Sequence, residues 1–117
     1  MERWKRIKGY DYDISTEGRV RNLSGKILKL KTDNGYKRIG LRLNNKQVFF
    51  RVHRLVAAAF IPKIKGKNDV HHINHIRHDN RVENLQWVTA EENQYYKSAN
   101  RLSYNFLLKF YKKHNTN

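Results

Sequence analysis

Residues 69–93, DVHHINHIRHDNRVENLQWVTAEEN, constrain the fold of this chain more than any other stretch. Two β-favouring runs, VHHI and VENLQWV, flank the polar loop NHIRHDNR, and a capping box of Thr89 and Glu92 follows them. Such a box marks a helix N-terminus, so we expect a helix to start near Ala90, with Asn93 in or just after its first turn. The segment therefore predicts strand, loop, strand and helix in that order.

The residues before this stretch favour strands and one short helix. Residues 10–52 alternate apolar and basic side chains between turn signals, and Asn34-Gly35 is the strongest hairpin signal because both residues tolerate positive φ. We interpret them as a small N-terminal antiparallel β-sheet with one strongly basic face. Residues 53–61 share an apolar helical face and stop at Pro62, which predicts a short buried helix. Because apolar spacing after residue 100 predicts a C-terminal helix as well, the expected fold class is α+β.

The charge of the chain points to a polyanionic partner. Lys and Arg number 25 against 10 Asp and Glu, which gives a formal net charge of +15 over 117 residues. Repulsion on this scale destabilises a compact fold, and nucleic acid is the polyanion best suited to relieve it. The chain has no cysteine, which excludes disulfides and thiolate zinc sites. Its longest apolar run, LVAAAFI, is too short to cross a bilayer.

Four of the six histidines lie within residues 69–93. A neutral imidazole ligates metals or takes a proton near neutral pH, and adjacent residues on a strand point to opposite sides. His71 and His72 can therefore play different parts, with an Asn side chain as a neutral oxygen ligand for a cation such as Mg²⁺. Three alternatives to a catalytic metal site stay open: a structural zinc site of His71, His75, His78 and a fourth ligand, a solvated His-rich loop, or phosphate contact by protonated His and Arg.

The segments VHHIN, DNRVENLQWVT and EEN resemble the ββα-metal motif of HNH endonucleases, in particular the phage and intron homing enzymes of that family. The step from His72 to Asn84 is twelve residues and that from Asn84 to Asn93 is nine, which fits the branch whose third letter is Asn. Upstream, WKRIKGYDYDISTEGRVRNLSGKILK is similar to the basic module that often precedes the nuclease, and VHRLVAAAFIP is similar to the linking helix. The resemblance covers roughly residues 4–93.

The resemblance implies a role for each residue of the motif. His72 would be the general base that takes a proton from water, and Asn84 would brace the loop that aims it, so both are expected in the catalytic site. His71, where some relatives carry Asp, and Asn93 would be the two protein ligands of a divalent cation, Mg²⁺ or Mn²⁺. Hydrolysis would leave a 5′-phosphate and a 3′-hydroxyl. With a base of ordinary pKa, about 6.5, activity is expected to fall as the pH drops through about 6.

Double-stranded DNA is the partner that the charge and the resemblance both imply. Arginine suits guanine edges and phosphates, and a twisted β-ribbon fits the major groove, so base reading and phosphate anchoring both stay open for the front sheet. His75 and His78 are interpreted as phosphate contacts or solvated residues, and the sequence leaves His53 undecided. The residues expected to contact DNA are Arg19, Arg21, Lys26, Lys29, Arg38, Arg42, Arg54, His75, His78 and Arg81.

These expectations divide the chain into a basic β-rich DNA-binding region over 1–52, an HNH nuclease core with its preceding helix over 53–99, and a helical tail over 100–117, all in one compact unit. The expected function is a metal-dependent homing endonuclease that nicks or cuts duplex DNA in the cytoplasm of a bacterial or phage-infected cell, with no membrane partner. The alternatives are a non-catalytic DNA-binding protein derived from an HNH nuclease and a zinc-stabilised nucleic-acid adaptor. A monomer with one active site would nick, whereas a homodimer could cut both strands.

Overall fold

The computed structural model describes residues 1–99, and within them three antiparallel sheets and two helices surround one main apolar core. This arrangement confirms the α+β class. The helix expected within residues 100–117 lies outside the described residues. The elements are, in chain order, β1 (Trp4–Arg6), β2 (Tyr12–Ser15), β3 (Val20–Asn22), β4 (Lys31–Asp33), β5 (Tyr36–Leu43), β6 (Lys46–Arg51), α1 (Val52–Phe60), β7 (Asp69–His72), β8 (Leu85–Val88) and α2 (Ala90–Ala99).

The strands of residues 4–51 form two sheets where the sequence indicated one. The first has the order β1-β2-β3 and the second the order β4-β5-β6. Between them the chain leaves β3 with only an isolated bridge from Arg21 to Ile27, so pairing does not continue into β4. The turn at Asn34-Gly35 forms as expected, with φ values of 52° and 82° that suit a two-residue hairpin between β4 and β5.

The core lies under both sheets and is closed by α1. Ile14 and Val20 contribute from the first sheet and Leu41 from β5, and each is fully buried. Helix α1 buries Val52 and Val56 completely against them; Val56 lies within the predicted helix, whereas Val52 starts the helix one residue earlier than predicted. The short helix therefore fixes the positions of His53 and Arg54 in its first turn.

The C-terminal part follows the predicted order with one difference. β7 and β8 pair antiparallel, and α2 begins at Ala90 as the capping box indicated. The box is closed in both directions, because Thr89 N donates to Glu92 Oε1 at 2.9 Å and Glu92 N donates to Thr89 Oγ1 at 3.0 Å. The difference lies in the second β-favouring run, whose first residues, Val82–Asn84, form a 3₁₀ turn so that β8 starts only at Leu85.

The N-terminal sheets pack against the loop that follows β7. Val82 N donates to Thr16 O at 2.9 Å, and Arg77 Nη1 donates to Asn34 O at 2.9 Å. Gly18, at φ +82°, lies so close to this loop that a Cβ there would come within 2.9 Å of Asn80 Cβ. The N-terminal sheets and the loop after β7 therefore hold each other in position. Within residues 1–99, no helix has both the length and the hydrophobicity that a membrane span requires.

Candidate active site

A cavity of about 420 Å³ opens beside the β7–β8 hairpin and the first turns of α2. It brings together His71, His72 and Asn93, three of the four residues that the resemblance placed in the catalytic site. The full lining consists of Tyr36, Arg51, His53, Arg54, Asp69, Val70, His71, His72, His75, Arg77, Asn93 and Lys97. Charged, aromatic and imidazole groups dominate this set, so the cavity is suited to an anionic ligand and to proton transfer.

His72 ends β7 and is held through one ring nitrogen. Its Nε2 lies 2.8 Å from Asn80 Oδ1, and this contact is a hydrogen bond when the neutral ring has its proton on Nε2, since an amide oxygen only accepts. The lone pair of the neutral ring is therefore on Nδ1, which is the atom able to accept a proton. Burial lowers the pKa of His72, and the hydrogen bond to Asn80 and the charge of Asp79 oppose that shift. The ring is consequently neutral at neutral pH, as a general base must be.

Asn84 lies outside the cavity lining and braces the loop between β7 and β8. Its Oδ1 accepts from Asn74 N at 3.0 Å, and its Nδ2 donates to Asn74 Oδ1 and to Asp79 O, both at 2.9 Å. Its backbone oxygen also accepts from Ile73 N at 2.8 Å. These bonds tie the loop that carries Asn80 to the strand that carries His72. These contacts are compatible with the bracing role that the resemblance implied for Asn84, which stays a prediction.

His71, on β7, and Asn93, near the start of α2, line the same cavity. The His71 ring stacks on Tyr96 with centroids 4.0 Å apart and planes 12° apart, which fixes its orientation. Asn93 Nδ2 donates to Asp69 Oδ2 at 3.1 Å, so the amide oxygen Oδ1 is left for another partner. An imidazole nitrogen and an amide oxygen are both donors that divalent cations accept.

The donor set fits a weakly held divalent ion. No group of three or more His, Cys, Asp or Glu within residues 1–99 is arranged to hold a metal. The candidate ligands are instead an imidazole and an amide, and the nearby His75 Nε2 is buried without a hydrogen-bond partner among the described residues. An unpaired buried nitrogen in a polar cavity is a natural position for a further ligand. HNH nucleases generally use a divalent metal, and these residues are compatible with one.

Comparison with known proteins agrees with this geometry. A family model described as HNH endonuclease matches residues 50–95, and a NUMOD4 motif model matches residues 2–42. A solved structure of DNA binding and cleavage by the HNH homing endonuclease I-HmuI superposes with a TM-score of 0.75 and 37% identity, covering 97% of this chain and 68% of that one. The chain belongs to the HNH endonuclease family.

Curated relatives place the same segment within longer proteins. An uncharacterized HNH endonuclease, L245, of Acanthamoeba polyphaga mimivirus is 38% identical over 115 residues, and the match covers 97% of this chain and 33% of the relative. DNA endonuclease I-HmuI of Bacillus phage SP01 is 42% identical over 94 residues, covering 77% of this chain and 54% of the relative. The chain thus spans about a third and about half of the length of these two HNH endonucleases.

The cations expected to contact DNA are distributed over several surfaces of this HNH protein. Arg54 is the only one of those Lys and Arg residues that lines the cavity. Arg38 and Arg42 lie on the outer face of β5, because the alternating Ile39 and Leu41 are buried. Three others pair with acids, namely Arg19 with Glu2, Arg21 with Asp13 and Arg81 with Asp79. Lys26, Lys29 and His78 are exposed away from the cavity lining, whereas His75 lies within it.

Several residues of the site were not predicted from the sequence. Tyr36, Arg51, His53, Arg77, Asp69, Val70 and Lys97 line the cavity, and Asn80 contacts His72. His53 and His72 have ring centroids 4.9 Å apart, and the guanidiniums of Arg51 and Arg77 lie 4.4 and 5.0 Å from the Tyr36 ring centroid. Arg77 and Asn80 belong to the loop between β7 and β8, and nothing in their spacing marks them. Tyr36 and Arg51 reach the cavity from the β5–β6 hairpin and His53 from the start of α1, through contacts between distant segments for which a single sequence carries no signal.

Acidification is expected to destabilise the protein through His53. Burial, followed by the charges of His72, Arg54 and Arg51, lowers the pKa of His53 from 6.5 to about 3, and Tyr36 covers the ring. Between these values the unfolded chain binds a proton that the folded chain does not. Stability is therefore fully present above pH about 6.5 and lost toward pH 3, by about 1.4 kcal/mol per pH unit while one proton differs.

Urea unfolding at pH 7 and pH 5 measures this loss. His53→Phe, which removes the titrating group, should lose less stability between the two values than the wild type does. His78→Ala, whose ring is exposed, is the matched control and should keep the wild-type difference. Equal losses in the wild type and in His53→Phe would contradict the assignment to His53.

Proposed function

We propose that this chain is a metal-dependent homing endonuclease of the HNH type that hydrolyses phosphodiester bonds in duplex DNA. The observation that carries the proposal is the shared cavity, which is lined by His71, His72 and Asn93 together. The hydrogen bond from His72 Nε2 to Asn80 supports the role of base, because it leaves Nδ1 as the proton acceptor. Membership of a family whose characterised relatives are named endonucleases supports the reaction class.

In the proposed reaction, His72 Nδ1 takes a proton from a water molecule whose oxygen attacks the scissile phosphorus. The bond between phosphorus and the 3′ oxygen breaks, and that oxygen takes a proton from solvent. The products therefore carry a 5′-phosphate and a 3′-hydroxyl. Throughout, the other ring nitrogen, Nε2, donates a hydrogen bond to Asn80 Oδ1, and the carboxylate of Asp79 stabilises the imidazolium that forms. Asn84 holds the loop that carries both residues.

The remaining cavity residues bind and orient the phosphate. His71 and Asn93 would hold a divalent cation, Mg²⁺ or Mn²⁺, that acts as a Lewis acid on the charge developing at the phosphate. Four cationic side chains line the same cavity and attract the DNA backbone: Arg51, Arg54, Arg77 and Lys97. Arginine contacts phosphate with two parallel hydrogen bonds, which fixes orientation as well as charge.

The path of the DNA is suggested by the outer face of the second sheet. Tyr36, Arg38 and Arg42 share that face of β5, and Arg51 pairs opposite Arg38 on β6. Tyr36 and Arg51 also line the cavity, so this basic face continues into the site without interruption. Phe49 adds an exposed ring, with Arg38 4.8 Å from its centroid. A basic and aromatic face of this kind suits a nucleic-acid backbone and its bases.

Removal of divalent ions is expected to stop cleavage and to leave the protein folded. The apolar core, with Ile14, Leu41 and Val56 fully buried, holds the described residues together independently of the cavity. Supercoiled plasmid incubated with the protein and Mg²⁺ or Mn²⁺ should become open-circular. DNA ligase should reseal the nick, because the nick carries a 5′-phosphate and a 3′-hydroxyl. With chelator, the plasmid should stay supercoiled while the far-UV circular dichroism is unchanged.

The same assay separates the alternatives. Cleavage that continues in chelator would contradict the metal role. Unfolding in chelator, with zinc present in stoichiometric amount, would support the zinc-stabilised adaptor. DNA binding without cleavage in any divalent ion would support a non-catalytic DNA-binding protein.

A further inference from the structure

His75 is a cavity residue to which the reaction above gives no part. It lies in the loop after β7, and its ring meets that of His71 edge to face, with centroids 4.9 Å apart and planes 73° apart. The two rings line the same cavity as Asn93. His78 belongs to the same loop and is exposed, so position in the loop alone does not account for the placement of His75.

Two features of His75 lower the stability of the protein, and a glycine at this position would avoid both. Its Nε2 is buried and makes no hydrogen bond within residues 1–99. Its backbone has φ +64°, a left-handed conformation that a side chain with Cβ adopts only at a cost. A glycine would form the same turn, which His75 N closes by donating to His72 O at 2.9 Å, without either penalty. Backbone strain and an unpaired polar atom at one cavity residue indicate that the imidazole of His75 has a function that outweighs these costs.

We infer that His75 is a third protein ligand of the metal site formed by His71 and Asn93, and that the site prefers late first-row divalent ions such as Co²⁺, Ni²⁺ or Zn²⁺ over Mg²⁺. The inference rests on the proposed function for the His71–Asn93 pair and adds the ligand and the preference. Two imidazoles and one amide form a nitrogen-rich donor set, which suits these ions. Mg²⁺ prefers carboxylate, phosphate and water oxygens.

The competing role for His75 is contact with a DNA phosphate by a protonated ring. Such a ring would place its positive charge against the neighbouring His71 imidazole, whereas a neutral ring has a nitrogen lone pair with which both imidazoles can hold one ion. His78 is exposed and remains the better candidate for a phosphate contact in this loop. The structure therefore separates the two histidines that the sequence treated alike.

Direct titration of metal into the untagged, metal-free full chain tests the inference without any cleavage assay. The wild type should bind Co²⁺ in the absence of DNA, with visible absorption bands and a heat signal, and should bind Mg²⁺ far more weakly. His75→Gly removes the imidazole and keeps a residue that accepts positive φ, so it should fold at least as stably. Its Co²⁺ affinity should fall by at least about tenfold, since losing even an outer partner of a metal ligand costs that much.

Two control variants show whether a loss of affinity is specific to His75. His78→Ala should bind Co²⁺ as the wild type does. His53→Phe is included because His53 and His72 form a second close imidazole pair in the cavity, and it should also retain affinity. Wild-type affinity in a folded His75→Gly, or weaker DNA binding with metal affinity intact, would overturn the inference while leaving the proposed function standing. A wild-type protein that binds none of Co²⁺, Ni²⁺ and Zn²⁺ would also overturn the inference. If that protein still nicks plasmid in Mg²⁺, the proposed function stands without the inference.

Discussion

Replacing His72 by alanine is expected to lower the rate of plasmid nicking by about 10²–10⁴-fold, the usual contribution of a positioned general base. The expectation follows from the hydrogen bond of Nε2 to Asn80, which dedicates the opposite ring nitrogen to proton transfer. Single-turnover nicking with saturating protein measures the chemical step, so weaker DNA binding does not distort the result. DNA affinity itself should change little, because the cationic side chains of the cavity are untouched.

A second variant guards against a trivial loss of folding. Alanine at this position leaves Asn80 Oδ1 buried without its donor, whereas His72→Gln restores a side-chain N–H and still lacks a base of suitable pKa. Both variants should be inactive and His72→Gln should unfold close to the wild-type temperature. Asn68→Ala, at an exposed position outside the cavity lining, is the matched control and should nick normally. A folded His72→Gln protein that nicks at the wild-type rate would remove His72 from the mechanism.

Replacing Asn84 by alanine is expected to lower the free energy of unfolding by about 2–4 kcal/mol and to reduce activity as well. The buried amide makes three hydrogen bonds, to Asn74 N, Asn74 Oδ1 and Asp79 O, and its loss leaves those groups without their partner. Urea unfolding followed by tryptophan fluorescence is a suitable measurement, since Trp87 is buried next to this region. Reduced activity should follow because the loop also positions Asn80.

Matched variants show whether the amide itself is responsible. Asn84→Asp keeps the size of the side chain and removes its hydrogen-bond donor. This variant should also be less stable than the wild type, because a carboxylate oxygen would face Asn74 Oδ1 and Asp79 O, the two oxygens that Nδ2 contacts in the wild type. Asn68→Ala removes an exposed amide that contacts only Lys63 in the described structure, and it should stay within about 0.5 kcal/mol of the wild type. An Asn84→Ala protein as stable as Asn68→Ala would refute the bracing role.

The half of the site that the sequence predicted depends on local signals. The capping box of Thr89 and Glu92 fixed the start of α2, and that start places Asn93 opposite β7. Adjacent positions on a short strand gave His71 and His72 different surroundings, with Tyr96 beside one and His53 beside the other. These features follow from residues within 25 positions of each other, where pattern and spacing carry the information.

The other half depends on contacts between distant segments. Tyr36 reaches His72 from 36 positions away in the chain, from the first residue of β5. Alternation in β5 identified Ile39 and Leu41 as inward residues but did not show that Tyr36 would end beside a catalytic loop. Asp69 is a similar case, because its contact with Asn93 is visible only once α2 has packed on the hairpin.

The close approach of Gly18 to Asn80 bears on how such proteins evolve. Two separate family models match the segments on either side of it, which suggests cassettes that recombination could trade between genes. A side chain at position 18 would push on Asn80 and, through it, on the ring of His72. We therefore expect the nuclease segment to keep its activity only when the segment before it has glycine at the position of Gly18. The N-terminal segment and the nuclease segment are accordingly expected to be inherited together.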